Sequence, residues 1–440
     1  MVTEHNDEGR ELSARQKLDA ILKRLEDRKA TEAVYVKLYP DTARAEADAA
    51  DQRAARGESL GPLDGKIVSI KDLFDVAGEP NLAGSIIRKT AKPATKDAVI
   101  VERLRKAGAI IIGKTHMTEF AFTATGLNPH YPVPGNAYDA SLVTGGSSSG
   151  AAVSAGEGTC DIAIGSDTGG SVRIPAALNG VVGFKPTHGR VSLEGAFPLS
   201  PTLDSVGPLA KTVVACADAD AIMAGEAPLP LEKIELAGLR VGIPQGIVLQ
   251  DMEEDVAAAY QSVLKKLEAA GAVFTECSFD TLINTLRTGP NKGSLTGIEA
   301  AHIHKEWLND LSMPVDERVS VPLRDRLKIP ASEYEALLAF RSELVKQADE
   351  MMAAFDVVVL PTTPVKAVPI AQVENDEQEY DRFETLYLRN TQIVNQFAMT
   401  ALSIPMPMPE RPAGLMLVGR NGSDRKILAI GAAVEALLSA

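Results

Sequence analysis

Hydrophobic and polar positions follow two rhythms along this chain. Residues 11–29 and 41–56 place apolar side chains every three or four positions among many charges, the spacing of amphipathic helices. "GKIVSI" (65–70) then breaks the pattern with a short apolar, β-branched run, which predicts a buried strand. Helical spacing returns over 97–108, and Gly108 stops it ahead of a strand at "AIIIG" (109–113). A Gly/Ser segment (144–150) leads into a short helix of small residues, "AAVSAGEG". Strands at "CDIAIG" and "GVVGFK" bracket "GSDTGGSVRIPA" (165–176).

The second half continues the alternation. "LRVGIP", "AVFTECSF" and "DVVVLP" read as strands, with helices over 252–270, 296–311 and 331–355 between them. "AGLMLVG" and a helix over 423–438 close the chain, and the polar stretch 372–381 reads as a surface loop. Strands alternating with helices predict an α/β fold, a sheet covered on both faces. With no repeat and no low-complexity linker, residues 1–440 read as one domain. Within it, 1–60 forms an N-terminal helical cover and about 225–350 a more variable helical insertion.

Charge and cysteine content exclude several function classes. A net charge of −14 argues against nucleic acid, whose phosphates demand a basic surface. Cys160, Cys216 and Cys277 are widely spaced and odd in number, which fits a reducing compartment and gives no structural zinc site. The start, "MVTEHNDEGRE", is polar and acidic where a secretion signal is basic and then apolar. No run of eighteen apolar residues is present. These features predict a cytoplasmic protein without membrane or nucleic-acid partners, and the N-terminal helices allow a homodimer.

Two motif matches require weighing. "GAIIIGKT" (108–115) satisfies the P-loop pattern, but its four inner residues are Ala-Ile-Ile-Ile, which favour a strand over a phosphate-cradling loop. "GSSSG" (146–150) satisfies the nucleophile-elbow pattern around Ser148. That reading needs His188, His302 or His304 as its base, and none sits in a convincing turn; 302 and 304 read as a solvated helix face.

A third constellation is richer. Gly169 and Gly170 let consecutive N–H groups converge beside Ser171, as a developing oxyanion requires. The nearest histidine to Ser171 is His188, so its base comes from elsewhere. Lys71 follows a buried strand, at its carboxyl end, where open α/β sheets bind ligands. Burial would lower its pKa and free the amine as a base; the plainer alternative is an ion pair with Asp72 or Asp75. Ser147 lies in "TGGSSSG", which taken alone is also an ordinary turn.

Four segments together resemble the amidase signature hydrolases: "GPLDGKIVSIKDLFDVAG", "AGAIIIGKTHMTEFAF", "GGSSSGAAVSAG" and "GSDTGGSVRIPAALNGVVGFKPTHGRVS". The separations of 76 residues from Lys71 to Ser147 and 24 from Ser147 to Ser171 are typical of that family. The resemblance implies the family's large twisted mixed sheet wrapped by helices, and an amide hydrolase acting through an acyl-serine without cofactor or metal. It makes Ser171 the nucleophile, Ser147 a bridging serine held by a cis peptide after Gly146, and Lys71 the base. By the same likeness Thr168, Gly169, Gly170 and Ser171 form the oxyanion hole, Asp167 and Arg173 brace it, and Ser148 joins the hydrogen-bond network. A small-molecule amide would sit against Phe120, Ala121, Phe122, Thr125, Gly145 and Gly146, with Phe197 and Asn395 as an outer wall. Ser149 stands where many members have glycine, and His188 where tyrosine is frequent. The A-type component of a tRNA-dependent amidotransferase, an esterase and an inactive binding module are the alternatives.

Overall fold

The computed structural model describes residues 12–27 and 33–439. The acidic start (1–11) and residues 28 and 29 of the first expected helix lie outside the described residues. The strands are β1 (Tyr35–Leu38), β2 (Ile67–Lys71), β3 (Ile110–Thr115), β4 (Ile162–Ser166), β5 (Val182–Lys185) and β6 (Val206–Ala210). The chain continues with β7 (Arg240–Gln245), β8 (Val273–Ser278), β9 (Val357–Pro361), β10 (Thr400–Pro405) and β11 (Gly414–Gly419). The helices begin with α1 (Ala14–Asp27), α2 (Pro40–Arg56), α3 (Val99–Lys106), α4 (Ser149–Glu157), α5 (Arg173–Asn179), α6 (Val213–Ala224) and α7 (Glu254–Ala269). They continue with α8 (Asp280–Thr288), α9 (Leu295–Ile303), α10 (Glu317–Arg326), α11 (Ala331–Met352), α12 (Ile370–Val373), α13 (Glu377–Gln396) and α14 (Asp424–Ser439).

All of these strands join one mixed eleven-stranded sheet in the order β1-β3-β2-β4-β6-β5-β10-β11-β9-β7-β8. β2 runs parallel to β3 and β4, and β7 parallel to β8 and β9. The other pairings are antiparallel. Alternation along the central strands explains the double covering of helices. Val68, Ile70 and Ile111 enter the core formed with α3, α6, α7 and α14. Ile67, Ile110, Ile112 and Ala163 point the other way, toward α1, α2 and α4. Both sets are apolar, so the strands read as continuous apolar runs. The α/β class expected from the sequence is the one observed.

Several elements depart from the expectation. β6 contains Gly207 and Pro208, residues that argue against an interior strand. α13 was unmarked because Arg389, Asn390, Thr391 and Asn395 occupy its buried side and erase the apolar stripe. The stretch 372–381, expected as a loop, holds the end of α12 and the start of α13, where the Asp376 carboxylate accepts from the Gln378 and Glu379 amides. α9 ends at Ile303, well short of residue 311. Within the 225–350 stretch, by contrast, the expected strands "LRVGIP" and "AVFTECSF" are β7 and β8 of the common sheet. "GAIIIGKT" is β3 with its approach from α3, and Lys114 there faces Asp72 at 3.4 Å. No described helix is long and apolar enough to cross a membrane.

The sheet brings Lys71 and Ser166 together, because each ends one of two paired parallel strands. Close backbone approach between β3 and β1 makes glycine obligatory at Gly113, where a methyl group would run into the Lys37 carbonyl. Overpacking of this kind costs about 1–3 kcal/mol. Gly113→Ala is therefore expected to lower the unfolding free energy by that amount in urea titration, with the fold retained.

Candidate active site

Lys71 is fully buried at the end of β2. Its Nζ donates to Ser147 Oγ at 2.6 Å and to Ser166 Oγ at 2.9 Å. The alternative ion pairs are not formed: Asp72 faces Lys114, and Asp75 accepts from Asn81. Burial lowers the Lys71 pKa to about 7, against the opposing pull of Asp167 and Asp204. An amine in that range is largely neutral at slightly alkaline pH.

Ser147 sits in a turn gripped from two sides. The Gly146–Ser147 peptide bond is cis. Gly146 N donates to Ala124 O at 2.6 Å, and Ser147 O accepts from Thr118 N at 3.2 Å. Ser148 N donates to Ser171 O at 3.2 Å, and Ser148 Oγ to Ser166 O at 3.2 Å. Ser149 Oγ lies 2.7 Å from His116 Nδ1, so the serine found in place of glycine has a buried partner.

Ser171 follows β4 in the loop that enters α5, and it lines a cleft of about 1200 Å³ together with Thr168 and Gly169. Among the described residues, the backbone N–H groups of Thr168, Gly169, Gly170 and Ser171 have no hydrogen-bond partner. Four consecutive unpaired donors beside a hydroxyl are suited to receive an oxyanion. Gly170 has φ 139°, and any side chain there would collide with Thr391 of α13. The loop is held from behind by a buried ion pair. Arg173 donates to Asp167 through Nη2 (2.8 Å) and Nε (3.0 Å), and Asn395 Nδ2 adds a third bond at 2.9 Å. Burial alone would raise the Asp167 carboxyl, but Arg173, Lys185 and Asn395 hold it at about 2. Thr168 Oγ1 donates to Asp204 Oδ1 at 2.5 Å.

No hydrogen bond joins Ser147 to Ser171 in this structure, so the three-residue line is continuous only from Lys71 to Ser147. The Ser148 alternative fares differently. His188 bonds Pro201 O, His302 bonds Ile298 O, and neither approaches Ser148 by any hydrogen bond. His304, expected on a solvated face, is buried among Phe120, Phe197 and Trp307, with ring centroids 4.3 to 5.9 Å away.

The sequence model of the family described as Amidase matches residues 16–428. The chain belongs to the amidase signature family. It is 34% identical over 419 residues to 2-amino-5-chloromuconic acid deaminase of Comamonas testosteroni, covering 90% of this chain and 86% of that one. It is 32% identical to the A-type component of the glutamyl-tRNA(Gln) amidotransferase of Chloroflexus aggregans, covering 97% and 93%. A crystal structure of an amidase superposes with a TM-score of 0.86 at 34% identity, covering 97% of this chain and 96% of the other.

Of the residues expected around the substrate of this amidase, Ala121 and Phe122 line the cleft. Phe120 does not; it packs into the aromatic cluster with Phe197, His304 and Trp307. Thr125, Gly145 and Gly146 lie behind the wall, where Thr123 and Ala124 face the cavity instead. Phe197 borders a small second hollow, and Asn395 braces Asp167 while Gln392 and Gln396 of the same helix reach the cleft. Ser166, Asp204, Glu384 and Thr391 escaped notice in the sequence. Ser166 and Asp204 become visible only once strand pairing is known, because β4 and β6 lie side by side.

Removing one member of a buried ion pair leaves the other charged without a partner, at a cost of about 3–5 kcal/mol. Arg173→Met is expected to lose that much stability in chemical denaturation. The Asp167 carboxyl falls from an ordinary 3.8 to about 2 in the folded state. Its contribution, about 2 kcal/mol, is present above pH 4 and lost as pH falls toward 2. Acid unfolding of Asp167→Asn should lack this portion of the wild-type pH dependence.

Proposed function

We propose that this protein hydrolyses a carboxamide, or a related acyl–nitrogen bond, through an acyl-Ser171 intermediate. The reading rests on one observation above the others: a fully buried lysine whose amine contacts Ser147, in the turn whose next residue bonds the Ser171 carbonyl. Family membership and amide-cleaving relatives, among them mandelamide hydrolase of Pseudomonas putida at 30% identity, support the same chemistry.

In this mechanism neutral Lys71 takes the Ser147 proton as Ser147 takes that of Ser171. Ser171 Oγ then bonds to the substrate carbonyl carbon, and the carbonyl π electrons move to oxygen. The amides of residues 168–171 receive the resulting oxyanion. Collapse re-forms the carbonyl and breaks the C–N bond, while the proton returns from Lys71 through Ser147 to the departing nitrogen. Water, deprotonated by the same route, attacks the acyl-serine and releases the carboxylate. The Ser147-to-Ser171 contact tightens when substrate fills the cleft, since such bonds commonly form fully only in the bound state. Buried free thiols at Cys160 and Cys216 support a reducing, cytoplasmic setting.

A fluorophosphonate should add its mass to the peptide carrying Ser171, and Ser171→Ala should lose at least about a thousandfold in kcat while keeping its melting temperature. Labelling at Ser148 would overturn the assignment. Ammonia or amine release from simple amides by the purified chain alone separates a free-standing hydrolase from a component of an amidotransferase.

Only the uncharged amine of Lys71 can accept a proton, and its pKa is lowered to about 7. kcat/KM is therefore expected to rise with pH and to level off above that value. Lys71→Ala should remove this share of the pH dependence as well as lower the rate.

A further inference from the structure

We propose that Glu384 is a positioning residue for hydrolysis, acting through the loop at 118–126 to hold the Gly146–Ser147 turn in its productive place. The inference rests on the role given to Ser147 above. Glu384 projects from α13 at the wall of the cleft. Its two oxygens accept from Ala124 N at 2.8 and 2.9 Å, and Oε2 also accepts from Thr125 N at 3.1 Å.

The clamped loop is the one that grips the turn. Ala124, whose N–H is fixed by Glu384, presents its carbonyl to Gly146 N at 2.6 Å. Thr118 Oγ1 donates to Thr123 O at 3.1 Å, while Thr118 N donates to Ser147 O. Packing reports the same closeness independently. A methyl group at Gly146 would come within 2.9 Å of Thr123 O and 3.0 Å of Thr118 Cγ2, and one at Gly126 within 2.6 Å of Gly145 O. One side chain, 260 residues beyond the loop it holds, thus sets the wall against which the Ser147 turn rests. A carboxylate suits this task better than a neutral acceptor, since charge-assisted bonds to backbone N–H groups are the strong ones.

The surroundings of Glu384 tie its charge to pH. Desolvation at the cleft wall raises the carboxyl to about 7, against the Ala124 and Thr125 N–H groups and Arg318 of α10, while Asp381 adds to the rise. Tyr380 and Tyr387 on the same helix also feel its charge, Asp316 at the start of α10 shares Arg318 with it, and the bound loop residues 123–125 contribute no titratable group. The clamping form is the ionised one, present above about pH 7 and lost below it. It therefore follows the same direction as the neutral form of Lys71.

Steady-state kinetics of Glu384→Gln and Glu384→Ala, on protein whose folded fraction is set by circular dichroism, test the proposal. Loss of a charge-assisted clamp should lower kcat about 10- to 100-fold in the alanine variant, with KM changed less than about threefold. Glutamine keeps one acceptor of the same length and should fall between alanine and wild type. Fluorophosphonate labelling of Ser171 should slow in the same order. Between about pH 7 and 5 the wild-type log kcat/KM should climb more steeply than the slope of about one expected of Glu384→Gln, the two slopes converging at lower pH once the clamp is fully protonated. Unchanged kcat in both folded variants would overturn the inference. So would a rise in KM alone, which would make Glu384 a substrate contact. If wild-type protein cleaves no amide and Ser171 resists the fluorophosphonate, it is the hydrolase reading that fails.

Discussion

A lysine amine enclosed completely at the end of a central strand is the constraint from which the site's organisation follows. Solvent cannot satisfy it, so protein groups must, and the two that do are hydroxyls: Ser147 and Ser166. A carboxylate in direct contact would have stabilised the ammonium form and removed the base. The carboxylates adjacent in sequence are turned elsewhere, Asp72 to Lys114 and Asp75 to Asn81. What remains is an amine whose proton is held weakly and whose donors reach only neutral oxygens.

Holding those oxygens requires segments far apart in the chain. β2 and β4 supply Lys71 and Ser166 through one parallel pairing. The Ser147 turn arrives from the amino end of α4, a helix of small residues that settles close to the sheet, where a side chain at Gly150 would strike the Val34 and His116 backbones. The Ser171 loop is tied to α13 from behind by Arg173, Asn395 and Thr391. Each tie is a buried polar contact with its partner present, which is the condition under which such contacts rigidify a site.

The sequence carried the motif-bearing half of this design plainly. Apolar runs marked β2, β3 and β4, glycines marked the loop before Ser171, and the spacing of Lys71, Ser147 and Ser171 carried the family likeness. The supporting half was hidden for a physical reason. α13 presents arginine, asparagine and threonine to the interior, so the residues that brace the loop are the ones that spoil its helical stripe. Proline and glycine in β6 concealed Asp204's neighbourhood in the same way. Phe120 misled in the opposite direction: an aromatic beside the cleft sequence proved to belong to the core around His304.

Electrostatics joins the two halves. Asp167 lies near enough to Lys71 to favour its protonated form, yet its own charge is committed to Arg173 in a pair with no solvent exposure. The guanidinium, 2.8 Å from the carboxylate, holds that charge in place and satisfies it within the buried loop. Asp204, the second group that would raise Lys71, is itself desolvated and pushed up to about 6, with Thr168 and two backbone amides holding the remainder of its charge. At Lys71 burial outweighs both of these carboxylates. Arg173 serves the loop as a brace, and because it also neutralises a fully buried carboxylate, a neutral donor of similar length would leave Asp167 charged and unpaired.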